Sequence, residues 1–175
     1  PGDHTDRSPV PGRRKPYDHL VLLAENDRGW HNLMRLVSTG WLDGFYHKPR
    51  ISKQLLADHA DGLIGLSACR VAETYREILG AGDFYLEIQN HGAADEAFVR
   101  EGMVEGARRT GLELVATNDC HFHRREDTFA HRVLLGIGQN RTLEELQRRY
   151  PYNAEFYVKT PDEMVRLFED HPGAC

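Results

Sequence analysis

A chain of 175 residues has room for one ordinary domain with a hydrophobic core and little room for two. Its 40% hydrophobic and 28% charged residues strike the balance of a folded globular protein and argue against disorder. The net charge of −5, from 22 basic and 27 acidic residues, argues against a domain that coats duplex DNA, where phosphates demand a basic surface.

Residues 1–16, rich in Pro, Gly and charge, read as an exposed loop or linker. The start, Pro1-Gly2-Asp3-His4, lacks a methionine and reads as the middle of something longer. No signal-peptide pattern opens the chain, and no apolar run approaches the roughly 18 residues that span a bilayer; the cysteine usage fits a reducing compartment, and a cytoplasmic location is expected. Leu20 to Ala24 is a compact apolar run fit for a strand buried on both faces. Trp30, Leu33, Met34, Val37 and Trp41 then share one face of a helix. Ser52 is placed to cap a short helix carrying Leu55 and Leu56.

Leu63 to Leu66 is the second strand candidate and Phe84 to Gln89 the third. Val99, Gly102, Met103, Gly106 and Ala107 repeat with helical spacing, their small residues allowing close packing, and Gly111 ends that helix. Leu112 to Ala116 is the fourth strand, and Ala130, Val133, Leu134 and Ile137 form the next helical face. Thr142 with Glu145, and Thr160 with Pro161 and Glu163, are capping signatures, and the last helix is expected to bury Met164, Leu167 and Phe168. This alternation predicts a parallel sheet or barrel with helices outside. One connection is abrupt: almost no loop separates Cys69 from the helical run Val71 to Leu79.

Three cysteines, Cys69, Cys120 and Cys175, are too few and odd in number for a disulfide framework, which leaves a cysteine free to be a ligand or a core residue. Ten histidines, several beside Asp, Glu or Cys, raise metal chemistry. In parallel α/β folds ligands gather at the carboxyl ends of strands. Those ends here read Ser67-Ala68-Cys69, Asn90-His91-Gly92 and Asn118-Asp119-Cys120-His121-Phe122-His123. Asp119 and His121, two apart in an extended segment, would project to one side and share a cation, with His123 continuing that side. A carboxylate with an imidazole suits Zn, Mn or Fe.

The plainer alternatives are a solvated Asp119 on a surface turn, a Cys69 that is a small buried hydrophobe, and a His91 that caps a helix or bonds a backbone carbonyl. Cys120 should point the opposite way, into packing, and His131 reads as a satisfied core or rim histidine. Arg124-Arg125 and Arg148-Arg149 read as solvated faces, although the first pair flanks the candidate site and could steer a phosphate. Nucleotide-cofactor and serine-hydrolase readings lack support, because no Walker loop, G-x-G-x-x-G, G-x-S-x-G or C-x-x-C occurs.

Several stretches together carry a family resemblance. They are His19 with Leu20 to Ala24, Asn32-Leu33, Gly44-Phe45-Tyr46-x-Lys48-Pro49-Arg50-Ile51, Gly62 to Cys69, Phe84 to Gly92, Ala116-Thr117-Asn118-Asp119-x-His121 and Glu155-Phe156-Tyr157-x-Lys159-Thr160. In this order they resemble the PHP (polymerase and histidinol phosphatase) domain that opens the alpha subunit of bacterial DNA polymerase III. The resemblance implies an α/β fold, a distorted (β/α)7-type barrel, with residues 17–175 forming its C-terminal portion.

It also implies a metal centre of up to three divalent ions (Zn, Mn or Mg), with His19, Cys69, Asp119 and His121 among its ligands and Asp119 and His121 as the catalytic pair. The implied chemistry is metal-assisted phosphodiester hydrolysis with 3′–5′ exonuclease action, within a DNA-directed DNA polymerase. The implied partners are the 3′ end of DNA, the remaining polymerase domains and replisome subunits such as a sliding clamp or proofreading subunit, with no membrane. Two departures stand out: the family's H-x-H and other early ligands are absent, and the chain jumps from Cys69 to Arg70-Val71 where the family has a longer helical stretch. No paired carboxylates of a polymerase palm are found, so these residues alone should not extend a primer. A catalytically decayed scaffold module and a free-standing PHP phosphatase are the competing readings.

Overall fold

The computed structural model describes residues 3–5, 17–67, 72–147 and 152–175. The linker expected over residues 1–16, the Cys69 junction and the Arg148-Arg149 pair lie almost wholly outside them. The fold is mixed α/β, with four strands ordered β1-β2-β3-β4: β1 (Val21–Ala24), β2 (Leu63–Ser67), β3 (Phe84–Ile88) and β4 (Leu114–Ala116). The chain divides into two compact units, residues 1–87 with 106–113, and residues 88–105 with 114–175.

In the first unit, β1 is followed by α1 (Asp27–Leu42) and α2 (Lys53–Ala57), and β2 by α3 (Ala72–Leu79). Asn26 caps α1 by accepting from the Gly29 N–H at 3.0 Å, and Ser52 caps α2 through the Leu55 N–H at 3.1 Å, as its position in the sequence predicts. β2 and β3 are parallel, pairing Gly65 with Phe84 and Ser67 with Leu86. β1 and β2 are antiparallel, which corrects the all-parallel expectation. The reason is visible at the strand ends: Ala24 pairs with Leu63, and the Glu25 N–H bonds the Gly62 carbonyl at 2.9 Å. The helical excursion between them therefore leaves and re-enters the sheet at the same end, so the strands run oppositely.

Among the described residues β1 pairs only with β2, and its side chains are half-buried to exposed instead of covered on both faces. The apolar face expected to bury α1 is also not the buried one. Gly29, Leu36 and Gly40 are buried, whereas Trp30, Met34, Val37 and Trp41 are exposed, with Trp41 stacked on Phe45 at 5.4 Å. Close backbone approach decides this: a Cβ on Gly29 would lie 1.7 Å from the Gly62 carbonyl oxygen. The core of this unit includes Leu36, Leu56, Leu63, Leu66, Tyr75, Leu79, Phe84 and Leu86.

The second unit holds most of α4 (Ala94–Thr110), then β4, α5 (Thr128–Gln139), α6 (Leu143–Gln147) and α7 (Pro161–Leu167). The capping boxes form as expected. Thr142 accepts from the Glu145 N–H at 3.2 Å while Glu145 accepts from the Thr142 N–H at 2.8 Å, and Thr160 with Glu163 does the same. The core here is Ile88, Phe168 and Ala174, with Met103, Leu114, Ala116, Met164 and Leu167 packed against it. On α5 the expected burial is corrected as well, since Leu134 and Ile137 stand exposed.

Candidate functional site

Beyond β4 the Thr117 N–H still bonds the Ile88 carbonyl at 3.0 Å, and then the chain turns. Asp119 has φ +38°, in the left-handed region that aspartate tolerates better than most residues. After it the backbone joins the 156–158 segment: the His121 N–H bonds the Phe156 carbonyl at 2.8 Å and the Val158 N–H bonds the Phe122 carbonyl at 3.2 Å. Asp119 and His121 thus meet for a different reason from the extended spacing expected of them. A left-handed residue and a two-strand bridge, with Phe122 opposite Tyr157, bring them together.

The Asp119 Oδ2 and His121 Nε2 atoms are 3.3 Å apart, with the side chains 53% and 28% exposed, so both are accessible to a solvent ion. That separation is long for an N–H···O hydrogen bond, which peaks near 2.9–3.0 Å. Ligand atoms about 2.1 Å from one shared ion would lie about 3.0 Å apart at a right angle and about 3.4 Å at a tetrahedral one. The pair therefore fits two adjacent positions around a divalent cation, and its oxygen–nitrogen donor set suits Zn or Mn.

Around His121 lies a group of aromatic rings: Tyr152 at 3.9 Å, His131 at 5.6 Å and Phe156 at 5.8 Å between centroids. Burial, and then the neighbouring His121, hold His131 below the usual imidazole value. His131 lies beside the pair as a rim residue. Arg125 holds the Glu155 carboxylate with both guanidinium nitrogens and lies 5.0 Å from the Tyr157 ring, so it is engaged with protein groups instead of standing as a free phosphate contact.

The Tyr157 hydroxyl donates to Glu163 at 2.6 Å. That hydrogen bond, together with those from Thr160, lowers the Glu163 carboxyl to about 2.

Cys120, expected to point into packing, is instead exposed, and its thiol donates to the Tyr157 carbonyl at 3.4 Å. The positive φ at Asp119 breaks the alternation on which that expectation rested. His91 takes its plainer reading. It is buried, its Nδ1 sits 2.6 Å from Glu96 and its Nε2 3.0 Å from the Asn118 carbonyl, and its ring stacks on Phe156 at 3.7 Å. His123 is exposed where the chain bends. His19 is exposed just before β1, in the first unit, and its carbonyl accepts from the Ser67 hydroxyl at 3.5 Å. Cys69 lies outside the described residues. Among the described residues, no group of three or more His, Cys, Asp or Glu side chains is close enough to hold a metal ion.

Similarity to known proteins follows the same lines. The family model described as the PHP domain matches residues 4–91. The DNA polymerase III subunit alpha of Thermus aquaticus is 45% identical over 183 residues, covering 94% of this chain and 15% of the relative. Those of Borreliella burgdorferi and Treponema pallidum are 39% and 37% identical, covering 89% and 92% of the chain and again 15% of each relative. The chain thus spans about 15% of the length of the curated relatives it matches. The chain belongs to the PHP domain family, in the form carried by DNA polymerase III alpha subunits.

Proposed function

We propose that the chain is part of the alpha subunit of a bacterial replicative DNA polymerase III and forms the C-terminal portion, residues 17–175, of its PHP barrel. In this reading the PHP domain is a metal-dependent phosphoesterase that removes nucleotides from a DNA 3′ end. The observation that carries it is the Asp119–His121 pair: two accessible donors 3.3 Å apart on a turn just beyond a strand end. The whole protein would be a cytoplasmic nucleotidyltransferase working with its other polymerase domains and with replisome subunits such as a sliding clamp or proofreading subunit. The length of match to relatives so named supports this.

Asp119, through a carboxylate oxygen, and His121, through Nε2, would hold a Zn, Mn or Mg ion, with Cys69 and His19 as the further ligands that family resemblance supplies. A bound divalent cation supplies an acidified water near neutral pH and shields the charge of the phosphate. The chain's own residues hold the donors in place. The left-handed backbone at Asp119 aims the carboxylate at the imidazole, and the Phe156 carbonyl fixes the His121 backbone. The Tyr152 ring lies against the His121 ring, tilted by 37° at 3.9 Å between centroids.

A second reading, a catalytically decayed PHP module that serves as scaffold, is favoured by one observation: only two candidate ligands come together among the described residues. Metal content and 3′-terminal nucleotide release, measured on the full-length protein beside Asp119→Asn, decide between them. Hydrolysis predicts bound metal and a rate that falls by more than about 100-fold in the variant, since even groups outside the ligand shell cost 10–100-fold. Metal-free protein, or equal rates in both, leaves the scaffold.

A further inference from the structure

Asn118 is the residue before Asp119, and it is buried at 6% exposure with every polar group of its side chain engaged. Its amide nitrogen donates to the Glu155 carbonyl at 2.8 Å and to the Tyr157 carbonyl at 2.7 Å. Its amide oxygen accepts from the Lys159 ammonium at 3.0 Å. Its backbone carbonyl accepts from the His91 Nε2 at 3.0 Å. That carbonyl belongs to the peptide joining residues 118 and 119, and the orientation of this peptide is coupled to the φ of Asp119.

The two donors to Asn118 are themselves buried and counterbalanced. The Lys159 side chain is only 4% exposed and lies 3.5 Å from the Glu155 carboxylate. His91, at 2% exposure, faces acceptors from both ring nitrogens, Glu96 on one side and the Asn118 carbonyl on the other. Burial works to raise the Glu96 carboxyl, but hydrogen bonds from the His91 ring and backbone and from Ala93 outweigh it and hold it below its ordinary value. Asn153 donates to the His91 carbonyl at 2.7 Å and holds the loop from the far side.

A carboxylate that stands half in solvent gains nothing by itself from a left-handed backbone, and such a conformation persists only where its surroundings impose it. Here two buried side chains act on one asparagine from both ends: the Lys159 ammonium on the amide oxygen and the His91 ring on the carbonyl. We propose that Asn118 and His91 are positioning residues, which hold the 118–119 peptide so that Asp119 faces His121 in the geometry of a shared cation. The assignment rests on the metal-site reading above and adds to it the machinery that sets the site.

The test uses the full-length protein with His91→Phe, which keeps the stack on Phe156 and removes both ring hydrogen bonds, and with Asn118→Ala. Leu146→Ala, a buried α6 residue away from the network, is the control for general loosening, and Asp119→Asn is the reference for a lost pair. Two readouts are taken. The first is the pattern of His121 ring proton and nitrogen resonances in metal-free protein at fixed pH, with 15N-histidine labelling and assignment by His121→Gln. In His91→Phe and Asn118→Ala these resonances should move toward their positions in Asp119→Asn, while Leu146→Ala leaves them in place.

The second readout is the zinc dissociation constant by calorimetric titration, which should weaken by about 10–100-fold in both network variants although Asp119 and His121 remain. Wild-type His121 resonances in the network variants, or equal shifts in the Leu146→Ala control, would overturn the positioning role. If wild type binds no zinc, the metal reading fails on its own, and the resonances still decide the positioning role.

Discussion

At the scale of the residue, the candidate site shows how little spacing alone explains. The D-x-H pair is plain in the sequence, and the two side chains do meet, but through a left-handed Asp119 instead of an extended strand end. The same kink turns Cys120 outward, where alternation places it inside. Neighbouring groups that matter equally are legible only in three dimensions, because Glu155, Tyr157 and Lys159 reach Asn118 across 37 to 41 residues.

Tyr157 and Glu163 give a pH-dependent prediction. The Glu163 carboxyl at about 2 lies below its unfolded value of 4.5, so its contribution to stability is present above pH 4.5 and is lost as pH falls from there toward 2. Tyr157→Phe removes the hydrogen bond that is the largest cause of this shift. In carbon-detected NMR titration the Glu163 midpoint should rise toward 4.5 in that variant, and an unchanged midpoint would show that Thr160 alone sustains it.

At the scale of the element, boundaries and caps were largely legible, since Ser52, Thr142 and Thr160 announce the starts of α2, α6 and α7 in the sequence. Faces were less so. Periodicity identifies an apolar stripe on α1 but cannot say that the sheet side is the one with glycines, where backbones touch. Two substitutions separate the faces. Gly29→Ala drives a methyl into the Gly62 carbonyl and must shift backbone, so a loss of about 3 kcal/mol or more is expected in urea denaturation. Trp41→Ala, on the exposed face and 57% accessible, should cost about 1 kcal/mol or less. Equal losses would mean that the tryptophan face is buried against the rest of the molecule.

At the scale of the whole molecule, composition argues against a duplex-coating domain, and family membership follows from residues spread along most of the chain. The all-parallel expectation failed because strand polarity depends on where a long connection re-enters the sheet, and β1 pairs with β2 across a helical excursion that returns to its starting point. Among the described residues no helix is long and apolar enough to cross a membrane.

What remains central is whether Asp119 and His121 surround a cation together. Crystals of the full-length protein soaked in zinc, with diffraction collected on both sides of the zinc absorption edge, answer this directly. A peak in the anomalous difference map about 2.0–2.2 Å from both the Asp119 carboxylate and the His121 Nε2 is the expected result. A map with zinc bound elsewhere and no density between these two side chains would contradict it.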